Sequence, residues 1–356
     1  MRRICKDMLH NIDMFRFSLI VAIFFGVVGI PVAFAQSLGN QPDPIQFLVS
    51  PEVPAPGDTI LIQAQGVGNF LGDATISWQV DGKTVKSGLG ERVFSFTAGA
   101  LGKQTSVRVV VDSPTKGVIS KTFTFLPSTV TMLWEAGTTV PPWYKGKALY
   151  SAGSSLTVMA LPQVILNGKT VTSNNLGFQW SRNGTPVPEI SGKGRNLISF
   201  EGNQLLSGET LRVDVTINGA VIAQGQITIP ATTPTVVMYE RDPLRGVLYD
   251  SAFPDSVTLT ENEIAIQAQP FYFSKNSLSD GQLQYAWKLN GADIIGPDSA
   301  RGTLTLRQSG TGKGSAALQV ELQNTDPSKF VQSARDAVRI LFGGTTQTGI
   351  GSFFGL

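Results

Sequence analysis

The chain has 356 residues, of which 42% are hydrophobic and only 15% charged, and it contains 38 glycines and 20 prolines. So little charge together with so many turn-forming residues excludes a coiled coil or an array of long helices and favours β-sheet with many turns. The length is sufficient for two or three domains of ordinary size.

The first 35 residues have the pattern of a signal peptide. Within "MFRFSLIVAIFFGVVGIPVAFA" (14–35), Arg16 precedes an apolar stretch, and Ala33-Phe34-Ala35 forms a cleavage site before Gln36. Met14 is a possible true start, because it would give a signal peptide of ordinary length. The alternative is an uncleaved anchor, which would be the chain's only contact with a membrane. In both cases we expect an exported protein that is extracellular, at the cell surface or periplasmic.

The chain beyond residue 35 lacks cysteine and histidine. The only cysteine, Cys5, and the only histidine, His10, lie in the predicted signal peptide, which also holds four of the 28 basic and two of the 26 acidic side chains. The remainder therefore has no net charge, cannot form a disulfide, and has no Cys or His for zinc ligation or for nucleophilic and acid–base catalysis. We expect no cofactor, and no nucleic-acid partner, since such binding normally requires a basic excess.

One phrase occurs three times, in "SWQVDGK" (77–83), "QWSRNGT" (179–185) and "AWKLNGA" (286–292). Its tryptophans are 102 and 107 residues apart, close to the size of one immunoglobulin-like sandwich. Alternating apolar and polar residues predict strands around each tryptophan. The predicted strands are 59–66, 92–97, 106–112 and 118–125; 155–161, 196–201, 210–217 and 221–229; and 263–269, 302–307, 317–323 and 331–342. The stretch 132–152 also resembles 237–252, and the first repeat has no counterpart of it.

The repeated phrase predicts a tight hairpin turn after a buried tryptophan. Asp-Gly and Asn-Gly favour type I′ turns, because both central positions need a positive φ. Each tryptophan shares a strand face with aliphatic residues and should therefore point into the core. The predicted core residues are Trp78, Trp180 and Trp287, and the predicted turns are Asp81-Gly82, Asn183-Gly184 and Asn290-Gly291.

These repeats resemble the bacterial Ig-like or PKD-like domains of surface proteins, in which a tryptophan on the third strand fills the centre of the sandwich. The resemblance covers most of residues 42–342. It implies an all-β fold with three tandem immunoglobulin-like β-sandwich domains, at 36–127, 128–231 and 232–342, followed by a glycine-rich tail at 343–356. Because the two cysteines of antibody domains are absent, the tryptophans are expected to pack on aliphatic side chains. The resemblance also implies an adhesive, spacer or structural role without catalytic activity.

Two segments are candidate contact surfaces. In "TTVPPWYKGKALY" (138–150), Trp143 and Tyr144 follow two prolines, and aromatic side chains on a rigid loop can stack on sugars or anchor a protein partner. The alternative is that they fill the junction with the first domain or cap their own sandwich. The tail is a candidate docking strand for a neighbouring subunit, or else is disordered. Its apolar residues are Phe353, Phe354 and Leu356.

The acidic residues give no clear site. Asp242, Asp250 and Asp255 are the best local group for calcium, but without a calcium-loop motif they are better interpreted as solvated loop carboxylates, and no metal is predicted.

The sequence therefore favours a non-enzymatic, exported, multidomain Ig-like protein with a structural, spacer or adhesive role at a bacterial cell surface. Its partner would be an unidentified envelope or surface protein or glycan. The alternative is a glycan- or peptidoglycan-binding module protein that uses Trp143 and Tyr144. A remote alternative is a hydrolase that uses only carboxylates.

Overall fold

The structure is a computed structural model in which residues 44–66, 68–259 and 261–343 are described. The predicted signal peptide at 1–35 and the tail residues Phe353, Phe354 and Leu356 lie outside the described residues. The described part of the chain is built mainly of β-strands. It includes one α-helix of five residues, α1 (Lys275–Ser279), and short 3₁₀ turns at Ser173–Asn175, Pro188–Ile190, Ser299–Arg301 and Pro327–Lys329.

The first sandwich comprises residues 45–125. Its strands are β1 (Ile45–Ser50), β2 (Thr59–Gly66), β3 (Thr75–Val80), β4 (Lys83–Leu89), β5 (Val93–Thr97), β6 (Thr105–Ser113) and β7 (Gly117–Phe125). One sheet has the order β1-β2-β5 and the other β4-β3-β6-β7. All pairings are antiparallel, so the chain closes this unit by hairpins and by crossings between the two sheets.

The second sandwich comprises residues 129–229. Its strands are β8 (Thr129–Ala136), β9 (Ser155–Gln163), β10 (Ile165–Leu166), β11 (Lys169–Thr170), β12 (Gly177–Arg182), β13 (Thr185–Pro186), β14 (Gly192–Lys193), β15 (Leu197–Glu201), β16 (Glu209–Ile217) and β17 (Ala220–Ile229). The sheets are β15-β9-β8 and β13-β12-β16-β17, and β14 also pairs with β12. The strands β10 and β11 form a small separate hairpin.

The third sandwich comprises residues 235–342. Its strands are β18 (Thr235–Asp242), β19 (Gly246–Ala252), β20 (Ser256–Thr258), β21 (Glu263–Phe271), β22 (Leu283–Leu289), β23 (Ala292–Ile294), β24 (Thr303–Arg307), β25 (Gly314–Asn324) and β26 (Ser333–Phe342). The sheets are β19-β18-β21-β24 and β20-β26-β25-β22-β23. The short strand β20 runs parallel to β26.

Each sandwich has its own hydrophobic core between its two sheets. Alternation along the strands produces these cores: in β6, for example, Val107, Val109 and Val111 are fully buried and the residues between them face outward. Trp78, Trp180 and Trp287 lie in the three cores and are the largest fully buried side chains.

The strand order identifies the fold class. Setting aside β10, β11, β14, β19 and β20, each unit pairs its first, second and fifth strands in one sheet and its fourth, third, sixth and seventh in the other. This A-B-E and C′-C-F-G arrangement is that of immunoglobulin-like sandwiches. The predicted all-β, Ig-like fold is thereby confirmed.

The predicted strands differ from the observed ones mainly at the additions. The sequence did not predict β1, β10, β11, β14, β19 or β20 or the bounds of the hairpin return strands β4, β13 and β23, although it placed β2 correctly at 59–66. The similar stretches 132–152 and 237–252 also diverge. The latter contains strand β19, whereas residues 137–154 form a loop that reaches the third sandwich. Sequence similarity between the two stretches therefore did not carry over into the same local structure.

Candidate functional site

The loop that carries Trp143 and Tyr144 leaves the second sandwich at the end of β8. Strand β8 runs away from the linker at Pro127, so its far end faces the third sandwich rather than the first. The expectation that these aromatics fill the junction with the first domain is therefore wrong. Trp143 is 42% exposed and Tyr144 is half-buried.

Backbone hydrogen bonds attach this loop to the third sandwich. The amide of Thr139 donates to the carbonyl of Phe273 at 2.6 Å, and the amide of Tyr272 donates to the carbonyl of Thr139 at 2.7 Å. The Thr139 hydroxyl accepts from the Phe273 amide at 3.0 Å. Tyr272 has a φ of 63°, which is uncommon for a bulky residue and persists only where surrounding contacts hold it. The loop is thus a short extension of the third sandwich's backbone pairing.

Aromatic side chains from both sandwiches meet beside this backbone ladder. This aromatic cluster consists of Trp143, Tyr144, Tyr239, Tyr249, Phe271 and Tyr272. The Trp143 ring lies 4.9 Å from that of Tyr249, and Tyr249 packs edge-on against Tyr239 at 5.3 Å. The hydroxyls of Tyr144 and Tyr272 are 3.1 Å apart. Burial, followed by the Tyr144 hydroxyl, raises the pKa of Tyr272 to about 12, so this hydroxyl stays protonated at neutral pH.

A fully buried glutamine completes the joint. The side-chain oxygen of Gln332 accepts from the Ser274 amide at 3.0 Å and from the Asn324 side chain at 2.9 Å. Its nitrogen donates to the Ala152 carbonyl at 2.7 Å and to the Ser151 hydroxyl at 3.3 Å. All four hydrogen-bonding positions of this amide are filled, two by each sandwich. We refer to these contacts, the backbone ladder and the aromatic cluster together as the joint.

A second aromatic feature of the loop was not predicted. The ammonium of Lys147 lies 3.3 Å from the ring centroid of Trp134, a cation–π contact. Burial lowers the pKa of Lys147, an effect that the charge of Glu135 opposes. Trp134 precedes the loop on β8, so the pair secures the loop's return toward β9.

A buried carboxylate in the second sandwich was also missed. Glu209 is fully buried and accepts hydrogen bonds from the Arg182 guanidinium, the Asn183 side chain at 2.9 Å and the Asn203 amide at 2.6 Å. Burial alone would raise the pKa of Glu209, but Arg182 and these donors outweigh it and hold the pKa below its ordinary value. Both oxygens of this carboxylate are therefore engaged in structural bonds. A glutamate at the start of a strand gives no sequence signal for such a network.

The three repeated tryptophans make the same internal hydrogen bond. The indole nitrogen donates to a backbone carbonyl at Glu91, Arg195 and Ser299, at 2.9, 2.8 and 3.1 Å respectively. Trp78 shares its core with aliphatic side chains and also stacks on Phe94 at 5.3 Å, an aromatic neighbour that the sequence pattern did not predict. The indole nitrogen of Trp78 has its hydrogen-bond partner, and its ring has its stacking partner, inside the core.

The turn residues after each tryptophan adopt left-handed backbone conformations. The φ values are 47° and 81° at Asp81-Gly82, 51° and 83° at Asn183-Gly184, and 53° and 84° at Asn290-Gly291. This positive pair defines the type I′ class. No atom lies within 4 Å of an added Cβ at these three glycines, so backbone conformation, not space, favours glycine there.

The acidic group at Asp242, Asp250 and Asp255 does not converge. Asp242 is bound to the amides of Leu244 and Arg245, which lower its pKa. Across the described residues, no three His, Cys, Asp or Glu side chains are grouped as metal ligands would be. Within the same ranges, no helix has the length and apolar character that a membrane crossing requires.

Comparisons with known proteins identify similar folds only. No protein-family model and no curated protein sequence matches the chain. Among solved structures, the chain is similar to three N-terminal domains of the highly immunogenic outer capsid protein Hoc of bacteriophage RB49, with 13% identity, 85% of this chain and 99% of that chain covered, and a TM-score of 0.25. It is also similar to the central fibronectin-III array of RIM-binding protein, with 12% identity, coverage of 86% and 100%, and a TM-score of 0.27.

A third similar structure contains the fibronectin(III)-like modules of Clostridium thermocellum CbhA, with 11% identity, coverage of 52% and 94%, and a TM-score of 0.27. These structures are sandwich proteins of the Ig and fibronectin-III types. At such low TM-scores, the fold assignment rests on the strand order of the chain itself.

Proposed function

We propose that the chain is an exported, non-enzymatic protein of a bacterial cell surface with a structural, spacer or adhesive role, built from tandem Ig-like domains at 36–127, 128–231 and 232–342. The observation that carries the proposal is the joint between the second and third sandwiches. There, the backbone of Thr139 pairs with that of Phe273, and Gln332 is shared by both sandwiches. A spacer needs joints that keep one orientation, and buried hydrogen bonds supply that property.

The residue chemistry supports a non-catalytic role. Cysteine and histidine are confined to residues 1–35. The fully buried Glu209 is committed to Arg182 and to the donors around it. The side-chain amides of Gln332 and Asn324 at the joint are likewise paired and not directed into a cleft.

Rigidity of the joint can be measured by electron–electron distance spectroscopy. Spin labels would be attached at Gln226→Cys in the second sandwich and Thr305→Cys in the third, with Cys5→Ser as background. Both positions are exposed and lie on strands. We expect one narrow distance distribution. A broad distribution would contradict the spacer role.

Export can be measured separately by fractionating bacterial cells that express the full chain and sequencing the product's N-terminus. We expect a protein beginning at Gln36 outside the cytoplasm. Intact residues 1–35 on a product in the cytoplasmic fraction would contradict export.

A second candidate function is binding of a glycan or peptidoglycan. Its supporting observation is that Trp143 remains 42% exposed although its ring contacts Tyr249. If Trp143 stacks on sugars, Trp143→Ala should abolish retention on a glycan or peptidoglycan array at a temperature at which the variant, which also loses its contact with Tyr249, is folded. Leu133→Ala, at an exposed apolar position elsewhere on the second sandwich, is the control. No binding by the wild-type chain would reject this candidate.

A further inference from the structure

We define the seam of each sandwich as the side where the first strand of one sheet faces the last strand of the other. The three seams are those between β1 and β7, β8 and β17, and β18 and β26. Strand β8 packs closely on β17, and β18 on β26, whereas β1 and β7 approach each other much less. The first sandwich is therefore the most open along this side.

One position in the strand register accounts for the different distances between the strands at the three seams. Each core tryptophan is paired with a valine on the neighbouring strand, and that valine is paired with a residue on the last strand of the sheet. The residue on the last strand is Lys121 in the first sandwich, Gly225 in the second and Asp336 in the third. At Gly225 an added Cβ would lie 2.9 Å from a Val130 methyl, so glycine permits β8 to approach. The Asp336 carboxylate accepts from the amide of Met238 on β18 at 3.0 Å.

The first seam has a looser arrangement. Lys121 lies over the rings of Phe47 and Phe123, at 5.6 and 5.8 Å, and these rings meet edge-on at 5.4 Å. Phe47, Val49, Ile119 and Phe123 are only partly buried. Lysine on an edge strand often prevents the addition of another strand. The Lys121 side chain, however, lies over the two rings and does not extend beyond the edge of the sheet.

The third sandwich shows what this kind of seam can accept. Its strand β20 adds in parallel to the edge of β26, and Val257 packs against the core. In the first sandwich, the corresponding connection is only residues 51–58 and supplies no strand. Within the described residues, β7 has no partner on its outer side, so its backbone groups there are open to strand addition.

We propose that the seam of the first sandwich binds an extended strand formed by residues 344–356 of a second copy of this chain. In that segment Ile350, Ser352, Phe354 and Leu356 would share one face of an extended strand, and no side chain is charged. Such a sequence, if extended, presents one apolar face of the kind that Val257 provides in the third sandwich. The proposal goes beyond the structural role above, because it names the partner and the contact.

The distances favour a second copy over the same chain. The segment follows Phe342, at the end of β26 that is remote from Gln332 and the joint. From there, the path to the first sandwich runs the lengths of β26 and β8, roughly 60 Å at about 3.3 Å per residue. Thirteen extended residues reach at most about 45 Å. Contact between one end of a copy and the other end of the next is heterologous and would produce a ring or an open chain of subunits.

Disulfide trapping of the full chain, with Cys5→Ser as background, tests the contact. Thr122→Cys on β7 would be combined with Gly351→Cys in the segment, because both side chains would lie on the outer face of the sheet. The matched control is Gln226→Cys with Gly351→Cys. Gln226 occupies the same register position on β17 and is equally exposed, but its seam is closed by β8. We expect a ladder of multiples of the chain mass for the Thr122 pair under non-reducing conditions, and its loss in the control.

Sedimentation of the wild-type chain and of a chain lacking residues 344–356 tests the occupant. We expect the wild type to associate with concentration and the shortened chain to remain monomeric. Equal cross-linking of both cysteine pairs, cross-linking confined to single chains, or association unchanged by the deletion would overturn the proposal. None of these outcomes bears on rigidity of the joint or on export, so the two proposals can fail separately.

Discussion

Asp81, Asn183 and Asn290 each perform two tasks in the hairpin that follows a core tryptophan. They adopt a positive φ. Their side-chain oxygen also accepts a hydrogen bond from a backbone amide near the start of a later strand. The distances are 2.9 Å from the Ser106 amide, 2.8 Å from Thr210 and 2.8 Å from Ala317. The amide of each turn residue donates back to the same partner's carbonyl. The turn is thereby fastened to the strand beside the tryptophan.

Substitution of Asn290 can separate these two tasks. Asn290→Gly keeps the positive φ but removes the side-chain bond, and we expect a loss of about 1 kcal/mol in the free energy of unfolding. Asn290→Ala adds the cost of a left-handed alanine, about 1 kcal/mol more. Urea unfolding of both variants measures the difference. If Asn290→Gly were as stable as the wild type, positive φ would be the whole requirement.

Glu209 makes the stability of the second sandwich depend on pH. Its pKa in the folded chain lies below the ordinary value of 4.5, since Arg182 and other donors outweigh burial. The charged form is thus favoured by folding. The stabilisation is complete above the pKa of the unfolded chain and is lost as the pH falls through the folded pKa.

We therefore expect Glu209→Gln to flatten the loss of stability that the wild type shows as the pH falls below the ordinary glutamate pKa of 4.5. At neutral pH the same variant should be less stable by about 3 kcal/mol, because the Arg182 charge loses its partner. Denaturant unfolding at several pH values measures both effects. Glu201→Gln, which changes an exposed carboxylate on β15, is the control and should retain the wild-type slope. An unchanged slope in Glu209→Gln would contradict the assignment.

Sequence patterns predicted the turns well because turn chemistry is local. An Asn-Gly pair requires a positive φ whatever surrounds it. The Glu209 network was not predictable in this way, because Arg182 reaches it by pairing of β12 with β16, and Asn203 and Tyr150 reach it from loops beside the other sheet. The same limit applies to Gln332, whose partners lie up to 181 residues away.

At the scale of strands, the seam position shows how one residue sets the distance between two sheets. Gly225 permits β8 to lie directly on β17, whereas Lys121 at the matching position leaves β1 and β7 apart. The main strands were predictable because their alternation reflects burial on one side. Strand β4 was not, since every residue from Lys83 to Ser87 is exposed and no alternation exists. Strands β19 and β20 are short additions whose pairing depends on edges formed by distant residues.

Gly225→Ala should destabilise the second sandwich. The added methyl would meet Val130 at 2.9 Å and the Met132 sulfur at 3.2 Å, so β8 must shift outward. We expect a loss of about 1–3 kcal/mol in the free energy of unfolding, typical of overpacking. Lys121→Ala at the matched and more open position should cost less, and comparison of the two unfolding curves measures this. Equal losses would contradict the role given to Gly225.

For the molecule as a whole, the two junctions differ although the sequence made them look alike. Both linkers, Pro127-Ser128 and residues 230–234, are short and contain proline, a composition that favours a semi-rigid connection. The first junction is mainly backbone contact around Pro127 and close approach of Gly102 to Ile165. The second adds the aromatic cluster and Gln332. No sequence pattern marks this asymmetry, because it arises from a loop of one sandwich pairing with the backbone of the next.

Gln332→Ala tests whether the joint makes the second and third sandwiches unfold together. The substitution leaves the Ser274 amide, the Asn324 side chain and the Ala152 carbonyl without their partner, and buried polar groups left unpaired cost about 1–3 kcal/mol each. We expect calorimetry to show a shared transition for the two sandwiches in the wild type and its separation into two in the variant. Gln319→Ala, on the outer face of β25, should keep the shared transition. Separate transitions already present in the wild type would mean that the joint positions the sandwiches without coupling their stability, because the free energy of the joint would then be small beside that of either core.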